Sequence, residues 1–529
     1  MSGRRATNRA IMLAPVIQPN TTAPVSKLSR AWLEKDGSLP LNVTCGPLHV
    51  WPERVVQFGE GNFLRAFADW MIDVLNERGL FGGSVVVVPP TRRGRADVLN
   101  AQNGLYTVLL RGAHGGRVLE QQRVITAVSR ALNAHESWDE LVRCFSKPEI
   151  RFVISNTTEA GIAFVEESHR TGQCPESFPA KVTALLHERF LARHGDPAAG
   201  LIFLPCELIE CNGTTLRELV LRHAENWNLG RPFADWVRDC NHFLNTLVDR
   251  IVPGYPRDEA SQFARELGYE DALLVAAEWF HLWVIEGPPH LAEELPFNRA
   301  GLNAVWTNVL APYRTRKVRI LNGAHTASAL AAFHSGLNLV REMVDDAVFG
   351  PFVRRAVFDE IVPTVPLDEQ ERAAYAHAVL ERFQNPFIRH ELLAISLNSV
   401  AKWRVRVLPS LLDYAELRGS LPSLLCFSMA ALIHFYRGER TSTAELTGHR
   451  GDDAYPIRDE AVVLDFFERA WDDFNQHRKP RTLVATVLGC ATLWDRDLNA
   501  IPGLTELVSA SLASILKIGV RPSVAELIS

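Results

Sequence analysis

The first strong pattern in the chain is a short apolar run, Arg54-Val-Val-Gln-Phe58, followed by Gly59-Glu-Gly61 and then by Phe63, Phe67, Met71 and Leu75 at a spacing of four. The run predicts a strand, and apolar residues one helical turn apart predict an amphipathic helix after it. Beyond Gly82-Gly83 comes Ser84-Val-Val-Val-Val88, which is β-branched and shows no alternation. Such a strand is covered on both faces, as in a parallel sheet. Residues 150–155 and 200–205 predict two more strands. Strands separated by helical periodicity make an α/β fold with a parallel sheet.

The pattern changes after about residue 300. From Lys317 onward apolar residues recur at three and four, in 327–337, 352–361, 375–383 and 424–435, broken by clusters such as Val362-Pro-Thr-Val-Pro366. Residues 438–456 are polar and predict a long loop. The chain thus divides into a loosely ordered extension over 1–50, an α/β domain over 51–308 and a mainly α-helical domain over 309–529, with the boundary inside 300–315.

Composition narrows the class. With 529 residues, 47% hydrophobic and 22% charged, the chain is an ordinary globular one, long enough for two cores. A balance of 56 basic to 61 acidic residues argues against a nucleic-acid partner. Eight cysteines without a CxxC pair suit a reducing compartment. Arg4, Arg5 and Arg9 precede a short apolar run at 10–16 that imitates a weak secretory signal, but Pro15 interrupts it. No stretch approaches a membrane span. A cytoplasmic protein with no membrane partner is expected.

Three groups of residues carry candidate chemistry. Phe58-Gly59-Glu60-Gly61-Asn62-Phe63-Leu64-Arg65 lies at a strand-to-helix turn, where two glycines let backbone N–H groups approach a pyrophosphate. Leu64 holds the place of the third glycine of a dinucleotide fingerprint, and an ordinary βα turn fits the same text. The next strand ends Val88-Pro-Pro-Thr-Arg-Arg93, with no acid for an adenosine ribose. There Thr91 and Arg92 either accept a 2′-phosphate or face solvent, and NAD is favoured over NADP. The second group is Lys317-Val-Arg-Ile-Leu-Asn322-Gly-Ala-His325. On a helix its amine, amide and imidazole fall within an arc of about 140° and can converge on one ligand. A carbonyl reductase needs a proton donor and neutral groups for the developing alkoxide, although the same residues taken alone read more simply as a surface lysine, a capping asparagine and a satisfied histidine. The third group, Ser155-Asn156-Thr157-Thr-Glu159 and Cys206-Glu207 to Asn212-Gly213, follows two strands, where open α/β sheets bind ligands and where turns also use such residues. Asp249 is charged in an apolar context and calls for a partner. His187-Glu188 and His390-Glu391 lack the second histidine of a zinc protease, and no GxSxG elbow or P-loop is present.

Several motifs in order carry a family resemblance: Gln57-Phe-Gly-Glu-Gly-Asn-Phe-Leu-Arg-Ala-Phe67, Gly104-Leu-Tyr-Thr107, Ser155-Asn-Thr-Thr-Glu-Ala-Gly-Ile162, Leu204-Pro-Cys-Glu-Leu-Ile209, Leu247-Val-Asp-Arg-Ile251, the Lys317/Asn322/His325 group and Phe435-Tyr-Arg-Gly-Glu-Arg440. Over about residues 50–525 the chain resembles the long-chain mannitol dehydrogenase family, in its tagaturonate reductase (altronate oxidoreductase) branch. The resemblance implies a Rossmann-like first domain, a helical second domain, a cleft between them, NAD(H) as cofactor, no metal, and a monomer or weak oligomer. It implies Lys317 as general acid/base, Asn322 and Asn212 as oxyanion-stabilising amides, and His325 as the residue that orients substrate hydroxyls. Asp249 falls on the family's active-site Asp and Arg389 on a basic substrate-side position; on charge and position Arg389 is the first candidate, and Arg437 the second, to meet a sugar-acid carboxylate. Phe58, Gly59, Gly61, Asn62, Phe63, Arg65, Asn156 and Thr157 fall on the cofactor side. Polyol-oxidising members carry an acid-Asn pair where this chain has Glu207-Leu208, and the segment 438–456 is longer than is usual for the branch. The implied reaction is interconversion of D-tagaturonate and D-altronate. The alternatives are a fructuronate or mannitol oxidoreductase of the same family, and a non-catalytic sugar-acid or dinucleotide sensor.

Overall fold

The computed structural model describes residues 26–35 and 39–529. The apolar run at 10–16, with the rest of 1–25, lies outside the described residues.

Six strands organise the first domain: β1 (Glu53–Phe58), β2 (Ser84–Val88), β3 (Val128–Ala131), β4 (Phe152–Ser155), β5 (Ile202–Pro205) and β6 (His242–Phe243). They lie in the order β6-β5-β4-β1-β2-β3, all parallel. The order reverses between β1 and β4, which opens a crevice at their carboxyl ends. The unbroken valines of β2 are explained by two cores. Val85 and Val87 join Val55 and Ile154 on one face, while Val86 and Val88 join Val56 and Val153 on the other. Each valine so buried contributes about 1.5–3 kcal/mol of transfer free energy.

The helix expected from Phe63 to Leu75 is interrupted. Asn62–Arg65 forms one turn, and α1 (Ala68–Glu77) starts after a break at Phe67, whose φ of −130° and ψ of −81° leave the helical region. Side chains satisfy the carbonyls released there: Tyr106 Oη donates to Arg65 O at 3.2 Å and Arg250 Nη1 to Ala66 O at 2.7 Å. In the extension, Ser26–Lys27 pairs with Tyr269–Glu270 and Val43–Cys45 with the strand Arg117–Ile125.

Between the domains, β7 (Asn245–Asp249) runs antiparallel to β8 (Leu282–Glu286), and β9 (Ala304–Thr307) parallel to β8. Helix α2 (Asn212–Asn226) follows β5 in the chain, and α3 (Ala311–Arg316) opens the helical region. The segment Lys317–Asn322 that follows is a π-helical turn rather than α-helix, and α4 (Gly323–His334) continues from it. Helices α5 (Glu369–Phe383), α6 (Ser423–Phe435) and α7 (Ala461–His477) pack with α4 into one core. Helix α6 is apolar on every side and buried almost throughout, as such a helix must be. A second π turn, Ala356–Ile361, ends the helix expected over 352–361.

The polar loop expected at 438–456 is instead an antiparallel meander of β10 (Gly438–Ser442), β11 (Glu445–Arg450) and β12 (Asp453–Arg458). Its buried anchors are Leu446 and Ile457, directly opposite each other, together with Tyr455. Three large apolar residues among so many polar ones give little periodicity to detect.

Candidate active site

A cleft of about 490 Å³ lies where the carboxyl ends of β4 and β5 meet β7 and the π turn. Phe63, Asn156, Glu207 and Leu208 line it from the first domain, and Lys317, Asn322 and Arg382 from the second.

On the first-domain wall, Gly59 follows β1 with φ +127°, and a Cβ there would stand 2.9 Å from Asn156 O and 3.0 Å from Leu64 Cδ1. Only glycine fits this turn. At Gly61 a Cβ would meet nothing within 4 Å, so the backbone is open to an approaching group. Leu64, at the third-glycine place, is buried in the core. Asn156 donates to Cys206 O at 2.9 Å, and Glu207 accepts from Ser155 Oγ, Thr157 N and Thr157 Oγ1 at 2.9–3.1 Å. These bonds tie the loops after β4 and β5 together. Burial raises the Glu207 carboxyl above its usual range despite these donors.

On the opposite wall, Lys317 Nζ donates to Val248 O at 2.9 Å. Burial lowers its pKa, and the neighbouring Asp249 carboxylate opposes that fall. Asp249 is itself buried; burial works to raise its pKa, but Arg382 and Lys317 more than offset this and hold it below the usual range. It accepts from both Arg382 Nη atoms at 2.9 and 3.0 Å and from Tyr375 Oη at 2.7 Å. Arg382 also donates to Glu278 at 2.7 and 3.0 Å. In a π turn residues i and i+5 are bonded neighbours, which sets Asn322 beside Lys317 on the cleft side. Asn322 Oδ1 is buried with no partner among the described residues, and so is His325 Nε2. The His325 ring stacks on Phe383 at 4.1 Å, and burial keeps it neutral. It lines a small cavity that shares Leu321 and Arg382 with the cleft. An amine with a lowered pKa, beside an uncommitted carboxamide, can pass a proton to a ligand oxygen.

Several expected site residues lie elsewhere. The Asn212 side chain is buried at the start of α2, donating to Pro205 O, Glu207 O and Thr246 O at 2.9–3.1 Å and accepting from Gly213 N and Thr246 N at 2.9 Å. An amide so engaged has nothing left for an oxyanion; Leu208, 65% exposed, stands on that wall instead. The Phe58 ring packs on Phe178 in the core. Arg65 is buried and holds backbone at Leu273 and Glu60, while Asn62 Oδ1 accepts from it at 2.6 Å. Thr157 is buried on Glu207, and its neighbour Thr158 faces the cleft. Arg389 is exposed beside Glu391, and Arg437 lines a separate cavity. Asp249 lines the cleft, and Arg382 and Tyr375 place three hydrogen bonds on its carboxylate. Arg92 pairs with Glu176.

Arg382, Tyr375 and Glu278 escaped the sequence reading. A signal existed for two of them: Tyr375 and Arg382 stand seven apart on a helix face otherwise made by Ala376, Val379 and Phe383. Among the described residues no three His, Cys, Asp or Glu side chains are grouped to hold a metal ion, and no helix is long and apolar enough to cross a membrane.

A family model of the mannitol dehydrogenase Rossmann domain matches residues 53–299, and one of the mannitol dehydrogenase C-terminal domain matches 309–516. An altronate oxidoreductase of Pectobacterium carotovorum subsp. carotovorum is 45% identical over 475 residues, covering 89% of this chain and 96% of the relative. One of Cronobacter sakazakii is 45% identical over 483 residues, covering 91% and 98%. Among solved structures, a D-sorbitol dehydrogenase in substrate-free form aligns with a TM-score of 0.74 at 20% identity, over 94% of this chain and 100% of that one. A Pseudomonas fluorescens mannitol 2-dehydrogenase in complex with NAD and D-mannitol aligns with a TM-score of 0.63 at 21% identity, over 95% and 99%. Those two share the fold. The two domain matches and the 45% identical relatives establish that the chain belongs to the mannitol dehydrogenase family, as an oxidoreductase acting on CH–OH groups.

Proposed function

We propose that this protein interconverts D-tagaturonate and D-altronate with NAD(H), and that Lys317 carries the proton. The observation that carries the reading is the pairing of Lys317, anchored on Val248 O, with the uncommitted amide of Asn322 across the cleft from the Gly59–Phe63 turn. The altronate oxidoreductases at 45% identity favour a sugar acid over a polyol.

The residues on the first-domain wall fit a dinucleotide. Gly59 makes a turn that a side chain would fill, Gly61 leaves the backbone open, and Phe63 and Asn156 line the cleft beyond them. When bound there, the nicotinamide supplies or accepts the hydride. Glu176 opposes Arg92, so a 2′-phosphate at that position meets a carboxylate as well as a guanidinium, which favours NAD over NADP. In reduction, Lys317 gives its proton to the carbonyl oxygen while Asn322 stabilises the developing alkoxide; in oxidation the amine takes the hydroxyl proton back. No metal is needed for that step, because the ammonium supplies the positive charge. His325, neutral and with Nε2 unpaired, offers one hydrogen bond to a substrate hydroxyl.

Oxidation of NADH with D-tagaturonate, D-fructuronate and D-fructose in parallel tests the proposal. The expected order of kcat/KM puts tagaturonate first. Preference for either of the other two assigns the site to another ketose, and no oxidation with any of them contradicts the reaction.

A further inference from the structure

The meander covers a second cavity, of about 510 Å³, that shares no lining residue with the cleft. We propose that it is a second ligand site, for a polyhydroxy monocarboxylate.

The walls specify that chemistry. Helix α7 presents Glu468, Trp471, Asp472 and Asn475, spaced so that they share one face. The Arg440 guanidinium is already neutralised by Glu468 at 2.8 Å and Asp465 at 2.5 Å. Arg437 has no carboxylate partner among the described residues, and its guanidinium lies over the Trp471 ring at 5.5 Å. Among the described residues it is the lining cation left to meet an anion, and its planar fork suits a carboxylate. Asp472 and Glu439 also line the cavity, which disfavours a dianion such as a phosphate ester. Together with Asn475 they offer acceptors and donors for hydroxyl groups. At the inner end, Tyr455 Oη donates to Phe435 O at 2.9 Å and so accepts from His334 Nε2 at 3.2 Å. The adjacent His434 ring, 4.6 Å away, keeps Nδ1 buried with no partner among the described residues. Burial holds both imidazoles neutral, pushing His334 down to about 3 and His434 to about 4, so they act as hydrogen-bonding groups rather than charges. The volume lies within the range of small-molecule sites.

The test is calorimetric titration of the full chain, without nicotinamide, using sodium D-gluconate as probe and D-glucitol as its uncharged counterpart. The expected result is gluconate binding that survives Asn322→Ala in the cleft, falls about tenfold or more in Arg437→Met, recovers in part in Arg437→Lys, and exceeds glucitol binding by a similar factor. Arg437 is exposed, so an unchanged thermal midpoint accompanies that loss. Binding abolished by Asn322→Ala, binding indifferent to Arg437→Met, or no binding at millimolar gluconate each overturns the proposal. None of these readouts depends on turnover, so the reaction assigned to the cleft stands or fails separately.

Discussion

The ammonium of Lys317 rests on the Val248 carbonyl, in the field of Asp249. Burial favours the neutral amine and the carboxylate favours the charged one, so the balance sets where the residue titrates. Asp249→Asn removes the opposing charge, and the Lys317 pKa falls further. In the proposed reaction oxidation of altronate needs the neutral amine, so the rising limb of kcat/KM against pH moves to lower pH in that variant. A limb that stays in place removes Asp249 from this role. Asn212 is the instructive contrast. Its place after β5 was legible in the sequence, and the family resemblance implied an oxyanion amide there, yet five hydrogen bonds commit it to backbone. Asn212→Ala strands those groups at a cost of about 1–3 kcal/mol or more, lowering the thermal midpoint and leaving turnover per folded molecule little changed. An oxyanion role would instead cost about 10²–10³ in turnover. Sequence shows which groups a side chain has; only the fold shows which of them are already used.

At the scale of elements, β1, β2, β4 and β5 were readable because apolar runs buried on both faces need no context. The interruption at Phe67 was not, since it depends on Tyr106 and Arg250 reaching in from distant segments to the carbonyls of Arg65 and Ala66. The π turn at Lys317–Asn322 was also hidden, because its apolar spacing is that of an α-helix. The meander stayed hidden because Leu446, Tyr455 and Ile457 are its only strongly buried anchors among the residues 438–458. The two glycines after β1 separate strain from crowding. Gly61 has φ −63° and open space, so Gly61→Ala keeps its thermal midpoint while raising KM for the nicotinamide cofactor. Gly59→Ala forces a Cβ onto Asn156 O from a φ that L-residues rarely adopt, so it lowers stability by about 1–3 kcal/mol as well. Equal midpoints for the two variants, or an unchanged KM in Gly61→Ala, contradict this division.

At the scale of the molecule, the site exists only because two domains meet. The first supplies β7, whose Val248 and Asp249 face the second, and the second supplies Lys317, Asn322 and Arg382. Arg314 reaches back across the junction to Glu210 at 2.6 Å, beside the cleft. The division into an α/β and a helical half is written in the change of periodicity near residue 300, whereas the exact apposition is not, because it rests on buried charges. Arg382 between Asp249 and Glu278 is such a case: three ionisable groups acceptable only as a set. Turnover of Lys317→Ala with tagaturonate and NADH, measured beside NADH binding to the same variant, tests whether Lys317 carries the proton. The expected result is turnover lower by about two to four orders of magnitude with NADH affinity intact, the usual size for a positioned proton donor. Turnover equal to that of the unmodified protein would contradict it.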